Sequence, residues 1–428
     1  MVSQRTQRIS SILSYMEINT GFLKSSAQHP QNTVEGILRK DHCVEKDREI
    51  SDLREEVEFL RDQLEALAAN EHELRRKEEE NGLDLLEKYK SIASEKENEL
   101  CRYKRWAEDR LREQLEEILE LKGSIRVVCR IKPFKSEEPV EATETTVEFP
   151  KRGMCFPFSK VIFPGSEQAD VFLQISDLVL SATKGYKASI LAYGPTGSGK
   201  TYTVQGTPEN RGVVCRIVQT LKEEFGRQRE LGWEYEAKIN IVELYNDKLI
   251  GQKEDEWKSV RIEEVEEEFN RAANERKTGS TNCNERSSRS HLIFQIRIKM
   301  QKKTDSRTEE IEGSLCIVDL AGSERLSHSQ AEGDRMKEAV EINKSLSSLS
   351  DVVYAIFNKA QHIPYRNSKL TWLLRSSLGE GAKTAFIINI DPGSSIEETI
   401  TALRFSKKLQ ECQLGRSTKN AVLRKTDE

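Results

Sequence analysis

Apolar residues recur at regular intervals in the first third of the chain. From residue 50 onward they are spaced alternately three and four positions apart, at Ile50, Leu53, Val57, Leu60, Leu64 and Leu67. This spacing is typical of the a and d positions of a coiled coil. The phase weakens across 71–82 and resumes at Leu111, Leu115 and Ile118. Because no proline lies between Pro30 and Pro133, the pattern predicts a coiled-coil stalk over 48–122. The alternatives are an isolated charged helix and a helix that lies on its own domain.

Beyond Gly123 the pattern changes to short apolar runs that alternate with longer amphipathic stretches. The runs, each rich in β-branched residues, are IRVVCRI, KASILAY, AKINIVELY, LIFQIRIKM, SLCIVDL and KTAFIINI. Helices are expected at 212–229, 333–359 and 396–413. Strands interleaved with helices indicate one α/β domain around a central sheet. We place this domain at 123–415, with a disordered tail at 1–47 and a flexible tail at 416–428.

Composition narrows the classes of protein that remain. Charged residues make up 32% of the 428 positions and hydrophobic residues 36%, and no run of ~18 apolar residues occurs, so membrane insertion is not expected. A net charge of −5 does not favour nucleic-acid binding. The eight cysteines form no CxxC pair, which argues against a zinc site or a disulfide framework and for a cytoplasmic protein.

The segment GPTGSGKT at 194–201 directly follows the apolar run SILAY. It fits the phosphate-binding pattern G-x-x-x-x-G-K-[ST], in which glycines let backbone N–H groups turn toward phosphate oxygens. Lys200 would reach the β- and γ-phosphates, and the Thr201 hydroxyl would join the Mg²⁺ shell. The alternative is a glycine-rich turn. The expected nucleotide-binding residues of this loop are Gly194, Pro195, Thr196, Gly197, Ser198, Gly199, Lys200 and Thr201.

Two later segments suit the terminal phosphate of such a nucleotide. NERSSRSH, at 284–291, concentrates hydroxyls and arginines directly before an apolar strand. VDLAGSER, at 318–325, places Asp319 at the end of a strand and Gly322 in the loop after it. An aspartate there suits the water shell of Mg²⁺, and a glycine N–H suits the γ-phosphate. Either segment alone could be a polar turn.

With these residues in place, the chain from about 124 to 415 resembles a kinesin motor domain. The motifs that carry the resemblance are RIKP, YGPTGSGKTYT, ELYND, NERSSRSH, VDLAGSER, EINKSLSSLS, HIPYRNSKLTWLL and ALRFSKK. The heptads that precede the domain resemble the neck of the kinesin-14 group. The resemblance implies a P-loop NTPase motor core, in which helices flank a central, mainly mixed β-sheet, and an α-helical coiled-coil neck ahead of it.

The resemblance also implies roles for individual residues. Arg130 and Pro133 would border the adenine of ATP, and Tyr202 would stack on it. Arg289 would pair with Glu324 to close the pocket around the attacking water. The implied catalytic residues are Ser287, Ser288, Arg289, Gly322 and Glu324, and the implied Mg²⁺ residues are Thr201, Ser288 and Asp319.

Microtubules are the partner that the resemblance implies. The residues expected to face tubulin are cationic: Lys344, Arg366, Lys369 and Arg375. Asn343 would relay between nucleotide and microtubule. Because the heptads precede the core, we expect an ATP-dependent, minus-end-directed motor that works as a coiled-coil homodimer or as a heterodimer with a related chain. The expected location is the cytoplasm, on the microtubule cytoskeleton and the spindle.

Two departures from the family pattern bear on this function. Lys132 stands where the motif R-x-R-P commonly has its second arginine, and lysine loses the planar stacking of a guanidinium. The region 250–283 is short, which predicts a trimmed microtubule-contact hairpin. The alternative function is therefore a kinesin-like microtubule-binding subunit with weak ATPase activity, acting in a heterodimer.

Overall fold

The computed structural model describes ten parts of the chain, namely 55–70, 84–121, 125–136, 138–251, 256–278, 286–304, 307–324, 334–379, 382–411 and 421–425. The chain divides into two compact units, Met1–Ile118 and Leu119–Glu428. The disordered tail expected at 1–47 lies outside the described residues, as do Asn284 and Glu285 of the hydroxyl-rich segment.

The first unit contains α1 at 55–70 and most of α2, the helix Asp84–Leu121, whose last three residues belong to the second unit. Among the α2 residues whose burial is described, Leu100, Ala107 and Gln114 are buried. Val57 of the heptad series is buried in α1, and the Tyr103 hydroxyl of α2 donates to the Glu56 carboxylate of α1. The predicted helical character of this region is confirmed, whereas its pairing with a second chain stays a prediction.

The second unit is built on strands whose lengths follow the apolar runs of the sequence. The strands are β1 Ile125–Ile131, β2 Glu141–Ala142, β3 Thr146–Phe149, β4 Met154–Pro157, β5 Lys160–Ile162, β6 Lys187–Tyr193, β7 Trp233–Tyr245, β8 Lys248–Gly251, β9 Lys258–Val260, β10 Ser290–Thr304, β11 Arg307–Asp319, β12 Ala382–Ile390 and β13 Ala421–Lys425. Among the described residues, ten of these form one sheet with the order β5-β1-β12-β6-β11-β10-β7-β8, to which β9 and β13 add at β7 and β11. Strands β2, β3 and β4 form a small separate sheet.

Helices cover this sheet, and the expected ones at 212–229, 333–359 and 396–413 are present. The helices of the unit are α3 Gln168–Leu173, α4 Ser176–Thr183, α5 Lys200–Val204, α6 Val213–Glu230, α7 Val265–Thr278, α8 Arg286–Arg289, α9 Asp334–Phe357, α10 Lys369–Leu373 and α11 Ile396–Gln410. Every residue of β12 is buried, which requires cover on both faces of the sheet. No helix of the described residues is both long enough and apolar enough to cross a membrane.

The strand directions determine where a site can form. Strands β5, β1, β12, β6 and β11 run parallel to one another. The pairs β11–β10, β10–β7 and β7–β8 are antiparallel, so the predicted mixed sheet is confirmed. Ile131 lies beside Ile390, and Asp319 lies beside Ala192. The loops that follow β1, β6, β11 and β12 therefore leave the sheet at one edge, where ligands bind in such folds.

The C-terminal residues differ from expectation. The sequence predicts a flexible tail at 416–428, but Ala421–Lys425 forms β13, antiparallel to residues Arg307–Ile311 of β11. Strand β6 pairs with β11 only along Ser314–Asp319. The first half of β11 therefore has an open edge, and an apolar stretch of the tail satisfies its backbone groups.

In its described residues, the region expected to carry a trimmed hairpin has two short strands followed by a helix. Strand β8 has four residues, all exposed, and β9 has three. Both pair antiparallel with β7, and α7 begins at Val265. Residues 252–255 between these strands lie outside the described parts of the chain.

Candidate nucleotide site

The glycine-rich loop joins the end of β6 to the start of α5. Gly194, Gly197 and Gly199 have φ angles of 150°, 79° and 95°, values that favour glycine. A Cβ on Gly194 would lie 2.0 Å from the Asn389 carbonyl oxygen, so no larger residue fits between the loop and the end of β12. The loop thus has the strand–loop–helix setting that a phosphate-binding loop requires.

Lys200 lies inside this loop. Its side chain is buried, and its ammonium donates to the carbonyl oxygens of Gly194 and Pro195, each at 2.9 Å. A buried cation at the N-terminal end of a helix is the charge that phosphate oxygens need. The sequence prediction for Lys200 therefore fits the geometry.

Asp319 forms the centre of the predicted metal site. Its Oδ2 accepts hydrogen bonds from the Thr201 hydroxyl at 2.8 Å and from Arg276 Nη1 at 2.6 Å. Its Oδ1 is buried and has no hydrogen-bond partner among the described residues. Carboxylate and hydroxyl oxygens are the ligands that Mg²⁺ prefers. Thr201 and Asp319 hence fit a Mg²⁺ ion and its water shell, and the part of Ser288 in that shell stays a prediction.

Arg276 is a site residue that sequence reasoning missed. It lies in α7, is buried, and donates to the Ser290 hydroxyl at 2.9 Å and to the carbonyl oxygens of Ser287 and Ser290, each at 2.6 Å. It therefore ties α7 to the hydroxyl-rich segment as well as to Asp319. In the sequence, only its position near the end of α7, a few residues before the hydroxyl-rich segment, could have indicated this role.

The two segments expected to sense the terminal phosphate meet each other. The backbone N–H of Gly322 donates to the Ser288 carbonyl oxygen at 2.8 Å, and that of Ser323 donates to the Gly194 carbonyl oxygen at 3.1 Å. A Cβ on Gly322 would lie 2.2 Å from both the Glu324 carboxylate and the Thr196 hydroxyl. A side chain at this position would displace the Glu324 carboxylate and the Thr196 hydroxyl where these segments and the phosphate loop converge.

The ion pair that the resemblance implies between Arg289 and Glu324 is not formed in this conformation. Arg289 Nη1 donates to Glu338 Oε2 of α9 at 2.6 Å. The Glu324 carboxylate accepts from the Thr196 backbone N–H at 2.8 Å and from its hydroxyl at 2.5 Å. Arg289 is thus bound to α9, and Glu324 is bound to the phosphate loop. Glu338, which also accepts from the Tyr245 hydroxyl, is a further residue that sequence reasoning missed.

The predicted adenine side is open on one face. Arg130 is buried and donates to Gln168 Oε1 at 2.8 Å and to the Thr203 hydroxyl at 2.7 Å. Its guanidinium lies 5.0 Å from the ring centroid of Tyr202, which is 40% exposed. Pro133 is exposed as well. Arg130 therefore supports the tyrosine ring from below, and the free face of the ring can receive a base.

His291 connects the site to α9. It is buried, and its Nδ1 accepts from the Ala321 backbone N–H at 3.1 Å while its Nε2 lies 2.9 Å from the Ser345 hydroxyl. Burial, together with the positive charges of Arg276 and Lys200, lowers the pKa of His291 to about 3. The imidazole is therefore neutral and holds β10, the end of β11 and α9 together.

The residues predicted to face microtubules are exposed. Arg366 and Arg375 flank the Trp372 ring, with guanidinium-to-centroid distances of 5.7 and 4.0 Å. Lys344 Nζ lies 3.4 Å from Glu341, one turn earlier in α9. Lys369 begins α10. The Asn343 side chain, expected to act as a relay, donates within α9 to the Ala339 carbonyl oxygen at 2.9 Å.

Comparison with known families gives two adjoining matches. The family model described as the kinesin motor domain matches residues 251–412, and the one described as microtubule binding matches residues 106–251. Kinesin-like protein KIN-14D of Arabidopsis thaliana is 39% identical over 353 residues, which are 70% of this chain and 44% of that protein. KIN-14C of the same plant is 34% identical over 468 residues, covering 96% of this chain and 58% of that protein. The chain spans about half the length of these relatives.

Solved structures give the same result. A fusion of the C-terminal motor and motor homology domain of Kar3Vik1 to a synthetic heterodimeric coiled coil is 30% identical, with a TM-score of 0.65 over 82% of this chain and all of that one. The motor domain of the Saccharomyces cerevisiae kinesin-like protein Kar3 is 34% identical, with a TM-score of 0.57 over 67% of this chain and all of that one. Fold and sequence agree across the whole α/β unit.

Proposed function

The chain belongs to the kinesin family and is similar to its kinesin-14 members, and from this premise we propose that it is an ATP-dependent microtubule motor directed toward the minus end. The observation that carries the proposal is the meeting of the phosphate loop with both phosphate-sensing segments at one sheet edge. Its expected location is the microtubule cytoskeleton of the cytoplasm, including the spindle.

Hydrolysis here would be in-line transfer of the γ-phosphoryl group to water. The loop N–H groups and Lys200 position the phosphates, and Thr201, Ser288 and Asp319 would hold the Mg²⁺ shell. When bound, the ion neutralises the charge that develops on the phosphate oxygens. The protein contributes positioning and charge, and no covalent intermediate is needed.

Closing the pocket would require two residues to exchange partners. Arg289 would leave Glu338, and Glu324 would leave Thr196, so that the two could pair around the attacking water. Two alternative sets of ion pairs make a two-state element. Because Glu338 and the Ser345 partner of His291 both lie on α9, the exchange would be transmitted to the helix that carries Lys344.

Direction and dimerisation follow from the N-terminal helices. A lever attached before the core, as α2 is here, supports minus-end movement in the kinesin-14 manner. The heptad series supports a coiled-coil dimer, whether a homodimer or a heterodimer. The short β8 and β9 favour the alternative, a microtubule-binding subunit with weak ATPase activity in a heterodimer.

Surface gliding on polarity-marked microtubules tests the proposal. Chains fixed to a surface at high density should move microtubules with the plus end leading, and Lys200→Ala should not move them. Plus ends that trail would contradict the proposed direction. Attachment without ATP-dependent movement would favour the weak-ATPase subunit.

A further inference from the structure

Lys132 makes contacts that the function proposed above does not use. It directly follows β1, and its backbone N–H donates to the Ile390 carbonyl oxygen of β12 at 3.0 Å. Its ammonium donates to Asp391 Oδ2 at 2.8 Å and to the Gly197 carbonyl oxygen at 3.0 Å. One side chain thus connects the ends of two parallel strands to the phosphate loop.

Asp391 offers this lysine a fixed acceptor. Its carboxylate is buried, and its Oδ1 accepts from the Gly393 backbone N–H at 3.2 Å. The Ser394 backbone N–H closes the same turn by donating to the Asp391 carbonyl oxygen at 3.2 Å. Both carboxylate oxygens are therefore engaged. The Lys132 side chain is 46% exposed. The Asp391 carboxylate, which the Gly393 N–H holds in place, keeps the Lys132 ammonium close to the loop.

The Gly197 carbonyl is the acceptor that matters for binding. A loop that turns its N–H groups toward phosphate must turn carbonyl groups away from it, and each carbonyl then needs a donor. Lys200 serves the carbonyls of Gly194 and Pro195, and Lys132 serves that of Gly197, whose φ of 79° is reached at little cost only by glycine.

We propose that the Lys132–Asp391 pair positions the phosphate loop, holding the Gly197 peptide in its phosphate-binding orientation and thereby slowing nucleotide release. This inference rests on the proposed function in that a nucleotide occupies the loop. It makes Lys132 and Asp391 positioning residues that act through Gly197 without touching the nucleotide.

A second role for Lys132, direct contact with the nucleotide, predicts the opposite effect of one substitution. If Lys132 served the nucleotide, Asp391 would compete for its charge, and Asp391→Asn would slow release. If the pair holds the loop, Asp391→Asn weakens the ammonium's anchor and speeds release. The sign of the change therefore separates the two roles.

The experiment is release of fluorescent ADP from the full chain, chased with unlabelled ATP in a stopped-flow instrument. Lys132→Gln and Asp391→Asn should each raise the release rate about fivefold, since each removes one charge-assisted hydrogen bond of a partly exposed pair. The double variant should release no faster than either single one, because the two residues act as a unit. Lys132→Arg should stay within about twofold of wild type, because a guanidinium can donate to both acceptors.

Two measurements separate positioning from a loss of fold. The melting temperature and the far-ultraviolet circular dichroism spectrum should both remain close to wild type in the near-isosteric variants. Lys160→Gln is the matched control, because it removes another lysine–carboxylate pair at the same sheet, Lys160–Glu144 at 3.0 Å, and should leave release unchanged.

Unchanged or slower release in Asp391→Asn, or single effects that multiply in the double variant, would overturn the inference. If the wild-type chain bound no fluorescent ADP, the proposed function would fall, and the inference with it. If the wild type binds and releases ADP normally and the variants match it, the inference alone falls.

Discussion

The nucleotide edge and the proposed microtubule surface of the same domain are organised differently. At the nucleotide edge, buried and partly buried groups far apart in the chain bond one another, as Thr201 does with Asp319 and Gly322 with Ser288. On the surface, Lys344 and Arg375 are exposed, and they contact Glu341 and Trp372, each three residues away in the chain. The first region therefore holds its geometry by itself. The second offers charges whose final positions a partner would set.

Removing the charge at the centre of the nucleotide edge should have the largest effect. Lys200→Ala deletes the buried ammonium that the phosphates require, at a cost of ~4 kcal/mol or about 1000-fold in nucleotide affinity. Titration with fluorescent ATP measures this loss. Lys187→Ala, which removes an exposed lysine at the start of β6, should bind as wild type does. Equal affinity in the Lys200 and Lys187 variants would remove the assigned role of Lys200.

Glu324→Ala should separate binding from chemistry within the same edge. The glutamate is proposed to act only after it leaves Thr196 and pairs with Arg289, so ATP affinity should change by less than about threefold. Single-turnover hydrolysis should fall by about 100-fold, as for other groups that position reactants only in the transition state. An affinity loss as large as the rate loss would contradict this division between binding and hydrolysis.

The surface should respond in smaller steps and depend on salt. Arg366→Ala combined with Arg375→Ala removes both guanidiniums beside Trp372 and should weaken microtubule co-sedimentation about fivefold at low salt. The difference should shrink as the Debye length falls below the charge separation. Fluorescent-ATP affinity should not change. A variant that loses both activities together would mean that the two regions are not separable.

The pH dependence of the free energy of unfolding should reveal the buried, neutral His291, which joins the nucleotide edge to α9. Its pKa of about 3 lies below the ordinary value of ~6.5. Between these two pH values, His291 is therefore protonated in the unfolded chain and neutral in the folded chain. The free energy of unfolding should therefore fall as pH drops from about 6.5 toward 5, with a slope approaching ~1.4 kcal/mol per pH unit. The slope is measured by urea unfolding at several pH values. It should flatten in His291→Gln and persist in His362→Gln, whose histidine is exposed; the same slope in both variants would contradict the buried neutral imidazole.

Sequence reasoning predicted what depends on local pattern. The strand-to-loop-to-helix order around Lys200, the parallel strand that ends at Asp319 and the helices α6, α9 and α11 all follow from spacing and residue type. Arg276 and Glu338 were missed because nothing near them in sequence shows which distant groups they will meet. The Arg289–Glu324 pair was expected for a closed pocket. In this conformation Arg289 bonds Glu338, and Glu324 bonds Thr196. Strand β13 depends on an open edge of β11, which only the folded sheet reveals.

Steady-state ATP turnover with and without microtubules shows whether the two regions serve one cycle. We expect slow MgATP hydrolysis by the chain alone, acceleration of at least about tenfold by microtubules, and no turnover by Lys200→Ala under either condition. The contradicting result is full turnover that microtubules leave unchanged, which would describe a free nucleotidase with no coupling between the nucleotide edge and the surface.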